Sequence, residues 1–180
     1  MNTLLTIAKT LLKRLVAGAI SLFVFLFAMS FADGPWGIVP GGSFAETSKP
    51  APADWSFAKE LAIVAFQLEV PVSSRASWIM EHDNRFFIPS GYMNSTVGKI
   101  WKHWPMHAEK NGDALLQIDG QVFEVRMQRN EEADVLTPIL SELARKYIGV
   151  VPPIDDQVLA GMHQQVSSNN LWVFELVGRS

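Results

Sequence analysis

The sequence contains no cysteine. That excludes disulfide frameworks, zinc fingers, iron–sulfur ligation and thiol catalysis together. It leaves the redox compartment unmarked, since a cysteine-free chain suits either side of a membrane. GxSxG, Walker A, GxGxxG and HExxH patterns are also missing. Their absence argues against nucleophile-elbow hydrolases, P-loop and Rossmann nucleotide sites and zincin-type metalloproteases. Internal repeats and low-complexity tracts are lacking as well. Charge is scarce, at 18% of 180 residues, while 48% are hydrophobic. That balance belongs to a folded chain, long enough for one domain with a sizeable core and an appendage.

The little charge there is lies unevenly. Lys9, Lys13 and Arg14 are the only charged residues among the first 32, yet the whole chain carries −3. The body is therefore acidic, which argues against nucleic acid as a partner, because phosphate neutralisation needs a basic surface.

Behind those three cations comes one long apolar run, residues 15–32, "LVAGAISLFVFLFAMSFA". At about 1.5 Å per residue it spans roughly 27 Å, close to a hydrocarbon core of about 30 Å. It has no polar face, unlike a helix buried in a soluble domain. Two readings stand: a retained transmembrane anchor, or a signal peptide cut after Ala32. The run is long for a signal peptide and Phe27 and Phe31 make the cleavage zone bulky, so the anchor is favoured. The preceding cations predict a cytoplasmic amino terminus and a body on the other side. Upstream, Leu4, Leu5, Ile7, Leu11 and Leu12 surround the cations in a pattern suited to the cytoplasmic interface.

Residues 33–58 are dense in proline and glycine and read as a linker or extended arm without regular structure. Trp36, Ile38 and Phe44 are too apolar for an inert tether and are expected on the body or at the membrane interface. Residues 59–180 form the folded body. "ELAIVAFQLEV" (60–70) is a strand stopped by Pro71. Runs 75–82 and 85–89 flank Asp83-Asn84, and runs 114–118 and 121–129 flank Asp119-Gly120, so each pair predicts a tight hairpin. Residues 130–149 switch to helical spacing, with Val135, Ile139, Leu143 and Tyr147 four apart and Asn130 or Thr137 as cap. A short helix over 152–166 and a strand over 171–178 complete an α+β order with a mostly antiparallel sheet or small barrel.

Few residues offer chemistry. His103 and His107, with Glu109 near, have the spacing of a metal pair, but Pro105 lies between them and disturbs the shared face; packing or surface roles are favoured. Glu131-Glu132 and Asp155-Asp156 suit helix starts, where acids complement the dipole. Anion binding remains. Arg75 follows Ser73-Ser74, and "PSGYMNSTVGKIWKHWP" places Ser95 and Thr96 one turn before Lys99, with Lys102 next. Hydroxyls, backbone N–H groups and a lysine at a helix start can hold a phosphate. Trp78, Tyr92, Trp101 and Trp104 offer flat surfaces for a planar ring. The competing reading has Trp101 and Trp104 packing the helix on the sheet, with the lysines solvated.

The order of these motifs resembles a family: a strand opening with Arg75, a hairpin, a Ser/Thr turn leading to a lysine-bearing helix, then two strands joined at Asp119-Gly120. It is similar to the pyridoxamine 5′-phosphate oxidase-like FMN-binding split barrel, over about Leu61 to Arg129 with "LWVFELVGR" as closing strand. "DGPWGIVPGGSF" and "DWSFAKE" resemble segments of an uncharacterised, membrane-anchored bacterial group of that fold. The resemblance implies an α+β fold, a mostly antiparallel split β-barrel with flanking helices, preceded here by one transmembrane helix in the bacterial inner membrane. It implies that Arg75 and Lys99 hold the phosphate of FMN or a related flavin, Ser95 or Thr96 helping and Ser90 and Gly91 lining the flavin, with Trp78 or Tyr92 packing near the ring. It further implies a homodimer. Hydride or electron transfer is then the expected activity; a non-enzymatic ligand- or partner-binding barrel at the membrane surface is the alternative. The helix breaks at Trp104-Pro105 where the family runs on to an Asn-Pro turn, and the tail that orients pyridoxine phosphate is not visible, so that substrate is not implied.

Overall fold

The longest apolar run becomes the longest element. The computed structural model describes residues 2–179, with the side chains of 2–5, Val97 and Trp101 outside the described set. Expectations that fall on Leu4, Leu5 and the Trp101 ring therefore lie outside the described residues. Helix α1 runs Asn2–Met29. Its Thr6–Met29 stretch is long and apolar enough to cross a membrane, and none of it is buried. The helix begins well before residue 15, because the leucines, lysines and arginine upstream are good helix formers. It stops short of Ala32, at a turn where the Ser30 hydroxyl donates to the Phe27 carbonyl (2.6 Å).

The arm, residues 33–58, contains two short regular elements where its composition predicts none. Strand β1 (Ser48–Pro50) runs parallel to β7 (Gln121–Arg129), and Ser56–Ala58 form one 3₁₀ turn. An edge strand tolerates its terminal Pro50, which needs no ladder donor. Trp55 is buried in the core, its ring centroid 5.0 Å from Phe86 and 5.4 Å from Phe123.

The remaining strands are β2 (Ile63–Glu69), β3 (Val72–Trp78), β4 (Met80–His82), β5 (Arg85–Ser90), β6 (Asp113–Ile118) and β8 (Trp172–Gly178). Their spatial order is β3-β2-β6-β7-β8-β5-β4, antiparallel throughout, with β1 added beside β7. Both predicted two-residue turns form. Asp83 and Asn84 have φ of 50° and 61°, and Asp119 and Gly120 have 48° and 72°, the positive values that type I′ turns require.

One connection explains the shape. Strands β3 and β4 lie at opposite ends of the sheet order, yet only Ile79 separates them in sequence. The sheet must curl until its two edges approach, which makes a split half-barrel. The predicted single strand over 75–82 is accordingly divided: residues 72–78 pair with β2, and 80–82 pair with β5. Tyr147 fastens the break. Its hydroxyl accepts from Ile79 N–H (2.9 Å), and the Ala62 and Ile79 carbonyls, at 2.6 and 2.7 Å, are the acceptors for its one proton. The Lys146 ammonium beside it donates to the Lys59 and Leu61 carbonyls (2.5 and 2.9 Å).

The barrel interior is filled by Val64, Phe66 and Leu68 of β2, their counterparts on β5 to β8, and Trp104. Outside the barrel, Met80, Phe87 and Val173 carry two helices. The first, α4 (Ala133–Leu143), is capped by neither Asn130 nor Thr137 as such. Glu132 is its cap, and Asn130 accepts from the Glu132 N–H (3.0 Å). Thr137 and Pro138 fall inside, because the helix must start early enough to place fully buried Leu136 on the sheet. A π turn, Ala144–Ile148, ends it at Gly149. The second, α5 (Asp156–Ser167), starts four residues later than predicted and is capped by Asp155, which accepts from Gln157 N–H (2.7 Å). Between β5 and β6 lie α2 (Thr96–Trp101) and α3 (Trp104–Lys110), with Pro105 in the first turn of α3, where its missing N–H is not needed.

Candidate functional site

The sheet cannot stay paired where its edges part. Strand β4 pairs with β5 only at Arg85, Phe86 and Phe87, so Ile88 to Ser90 have no strand on that side. Strand β3 leaves β4 at Ile79 and diverges. A wedge opens between the free edges of β3 and β5, and the α2–α3 junction closes its floor. The result is a cleft of about 580 Å³, with Arg75 and Trp78 from β3, Pro89 and Ser90 from β5, and Lys102 and Trp104 from the junction. Pro89 suits this edge, since it has no N–H to leave unpaired. At the outer end, the arm adds itself to β3: Gly41 and Ser74 exchange both backbone hydrogen bonds at 3.0 Å. Gly37 and Ile38 of the arm then rim the cleft.

Arg75 is cross-strand from Phe66, so the two side chains share the barrel-interior face. Phe66 packs on Trp104 with ring centroids 4.8 Å apart. The guanidinium is thus held in the mouth of the barrel over an apolar floor. Its Nε is buried without a hydrogen-bond partner, and no carboxylate pairs with the group among the described residues. Burial pushes its pKa down, with no opposing acid. Lys102 is the second cation. Its ammonium donates to the Gly91 carbonyl (2.8 Å) and lies 5.8 Å from the Tyr92 ring centroid. Burial pushes its pKa down too. No acid lines the cleft among the described residues. Two half-buried positive charges therefore face one largely apolar slot, an arrangement that favours an anion with an apolar body.

The residues singled out in the sequence divide. Arg75, Trp78 and Ser90 line the cleft, and Gly91 touches it through its bond to Lys102. Trp78 stacks on Tyr147, centroids 4.5 Å apart and planes 10° off parallel, with about half its surface exposed. Tyr92 is exposed on the flank, at φ 60°. Ser95 is occupied as the cap of α2: its hydroxyl accepts from Gly98 N–H (2.9 Å) and donates to the Tyr92 carbonyl (2.7 Å). Thr96 and Lys99 are exposed and do not line the cleft. His103, whose Nε2 lies 3.0 Å from the Lys99 carbonyl, stands at the start of α3.

The structure brings Lys102 to the cleft and leaves Lys99 exposed outside it. The signal that could have decided between them is Trp104. Its core position turns the chain at the α2–α3 junction and brings Lys102, two residues earlier, to the cleft. Gly37 and Ile38 carry no sequence signal for this role, because they reach the cleft only through the Gly41–Ser74 bridge. Lys146 and Tyr147, which hold the break at Ile79, likewise act on residues more than 60 positions away.

No protein-family model and no curated protein matches the sequence. Among solved structures, the protein is similar to a pyridoxamine 5′-phosphate oxidase-like protein from Listeria innocua, with 9% identity and a TM-score of 0.44 over 69% of this chain and 90% of that one.

Proposed function

We propose that the cleft binds a phosphate-bearing ligand with a flat apolar body, FMN or a related flavin, and that α1 holds this barrel to a membrane with its amino terminus in the cytoplasm. The observation that carries the reading is Arg75: a guanidinium drawn out of water, with a buried Nε that bonds to nothing, opening on an apolar cleft. Leaving such a charge unpaired costs several kcal/mol by order of magnitude, and a bound anion would offset that cost. The volume lies within the range of small-molecule sites, about 300–1,000 Å³. Arg75 and Lys102 would hold the phosphate through charge-assisted hydrogen bonds, and Trp78 would pack beside the ring. A bound flavin supplies hydride or electron transfer, and the protein supplies orientation.

A second reading, a barrel that binds its ligand without turning it over, is favoured by one observation. The titratable groups lining the cleft are two cations, with no acid or imidazole to move a proton.

The test is a titration of the detergent-solubilised full chain with FMN, followed by absorbance and flavin fluorescence, with inorganic phosphate as competitor. Micromolar binding displaced by phosphate is expected. No binding of FMN would remove the flavin, and no effect of phosphate would remove the anion site. Protease protection of membranes tests the orientation; a body shielded on the cytoplasmic side would overturn it.

A further inference from the structure

The arm is fastened to the body at Phe44, which is buried and whose N–H donates to the buried Gln67 amide oxygen (2.6 Å), and again at β1 and Trp55. The large apolar residues before Phe44 are treated differently. Trp36 is 67% exposed and Ile38 92%. This is not slack chain, because Trp36 and Val39 exchange both backbone hydrogen bonds, at 3.1 and 3.0 Å, and form a closed hairpin with Gly37-Ile38 at its tip. Holding two such side chains in water forgoes about 1.5–3 kcal/mol each.

The hairpin's contacts say what covers it. The Trp36 ring lies on Phe25, centroids 6.2 Å apart at 66°. Phe25 is one turn before the end of α1 at Met29, about 6 Å back along the axis. The ring is therefore folded alongside the apolar helix rather than away from it. Thr6–Met29 would span about 36 Å, a little more than a hydrocarbon layer of about 30 Å, which sets its last turn near the headgroups. That is the depth tryptophan favours. Phe31, 75% exposed, adds a second exposed ring at the same end of the helix, packed on Phe27 with centroids 5.2 Å apart. The tether cannot let the hairpin swing off. Gly42 N–H donates to the Ala32 carbonyl (2.9 Å), and a Cβ at Gly42 would fall 2.3 Å from the Ser30 carbonyl oxygen. Gly41, next to it, is bonded to Ser74 beside Arg75, and a Cβ there would fall 1.7 Å from the Gly34 carbonyl oxygen.

We propose that the Trp36–Val39 hairpin, with Phe31, is a membrane-interface element that seats the rim of the Arg75–Lys102 cleft against the headgroup layer of the bilayer α1 crosses. The inference rests on the reading of α1 as a retained anchor. The covering partner is lipid, engaged by apolar contact. Residues 31–42 contain one charge, Asp33, whose carboxylate accepts from Ala45 N–H (2.9 Å), and no cation to prefer acidic headgroups. Because Gly37 and Ile38 rim the cleft, a ligand entering there does so at the membrane surface, so the site favours amphiphiles over ligands approaching from bulk water.

The absence of cysteine makes the test direct. Ile38→Cys and, separately, Ile20→Cys in the full chain each give a single site for a nitroxide label. The labelled proteins are reconstituted into phosphatidylcholine vesicles, and spin relaxation by oxygen is compared with that by a water-soluble nickel chelate. Ile38 is almost wholly exposed, so the substitution leaves the core intact. The label at 38 is expected to shift toward the oxygen-rich, nickel-poor behaviour of the label at 20, and to stay so in vesicles containing acidic lipid. A lipid-buried label at 20 with a fully aqueous label at 38 overturns the seating while the anchor stands. Aqueous labels at both positions overturn the anchor and the seating together. Burial at 38 only with acidic lipid overturns its apolar character.

Discussion

Two groups of half-buried cations in this protein live under opposite terms. Behind the barrel, the Lys146 side chain is 7% exposed and fully engaged, with carbonyls of Lys59 and Leu61 and the Glu142 carboxylate around it. Arg129, 15% exposed, pairs with Glu109 and Glu131 and lies 3.9 Å from the Trp172 ring centroid. In the cleft, Arg75 has no hydrogen-bond or ion-pair partner among the described residues, and Lys102 has a single carbonyl. The first pair are fasteners: Lys146 satisfies backbone carbonyls, and Arg129, although its Nε is buried without a partner, is answered by two carboxylates. The second pair sit where the strands part, and no carboxylate among the described residues pairs with either. A desolvated charge costs stability unless paired. Burial lowers the pKa of Lys146 as well, but its carbonyls and Glu142 offset part of that cost, whereas the cleft cations have less to offset theirs.

That contrast can be broken by substitution. Lys146→Ala should have the largest effect on stability, a loss of roughly 2 kcal/mol, because two backbone carbonyls lose a charged donor and Glu142 loses a partner. Thermal or denaturant unfolding in detergent reads it; a change under about 1 kcal/mol would mean that Lys146 is no fastener. Arg75→Ala should leave stability unchanged or slightly higher, while weakening FMN or phosphate binding by about 10–100-fold, or roughly 1.5–3 kcal/mol. A clear loss of stability without loss of binding would reverse its place in the comparison. Lys102→Ala should weaken binding by about tenfold, near 1.4 kcal/mol, whereas exposed Lys99→Ala should stay within about 0.5 kcal/mol in both measurements. Equal losses at 99 and 102 would return the phosphate to the start of α2.

The smallest effect is on pH. Burial lowers the pKa of Lys102, so this ammonium loses its proton at lower pH than an ordinary lysine. Anion affinity should be full below that lowered value and fall as pH rises through it, with Arg75 still charged. Stability moves the other way: the unfolded lysine holds its proton to higher pH, so Lys102 makes stability rise with pH between its lowered folded value and the ordinary one. Comparing wild type with Lys102→Ala isolates both slopes, and identical profiles would place Lys102 in open solvent.

Much of the fold was legible because its signals are local. Asp83-Asn84 and Asp119-Gly120 each prescribe a turn whose backbone angles follow from two residues. The alternation through Phe123, Val125 and Met127 prescribes a half-buried strand. Residues 15–32 prescribe an apolar helix, while the cations upstream suit an interfacial flank as well as the helix they form. The residues that line the cleft were legible only in part. Arg75 and Trp78 could be named from their strand. Lys102 could not be preferred to Lys99 until Trp104 had been placed in the core. Trp55 looked like linker, since nothing near it signals that the arm crosses the barrel mouth.

By itself, the sequence determined most of the body's strands and helices, where two hairpins turn, and that residues 15–32 have no polar face. Those properties depend on residues within a few positions of one another. Only the tertiary structure decided that β3 and β4, one residue apart, belong to opposite edges of the sheet. It also decided that the gap between those edges gathers Arg75, Lys102 and Ile38 from three distant segments. Curling a sheet and leaving a charge unpaired are outcomes of long-range pairing, and no short window of sequence records which partners are absent.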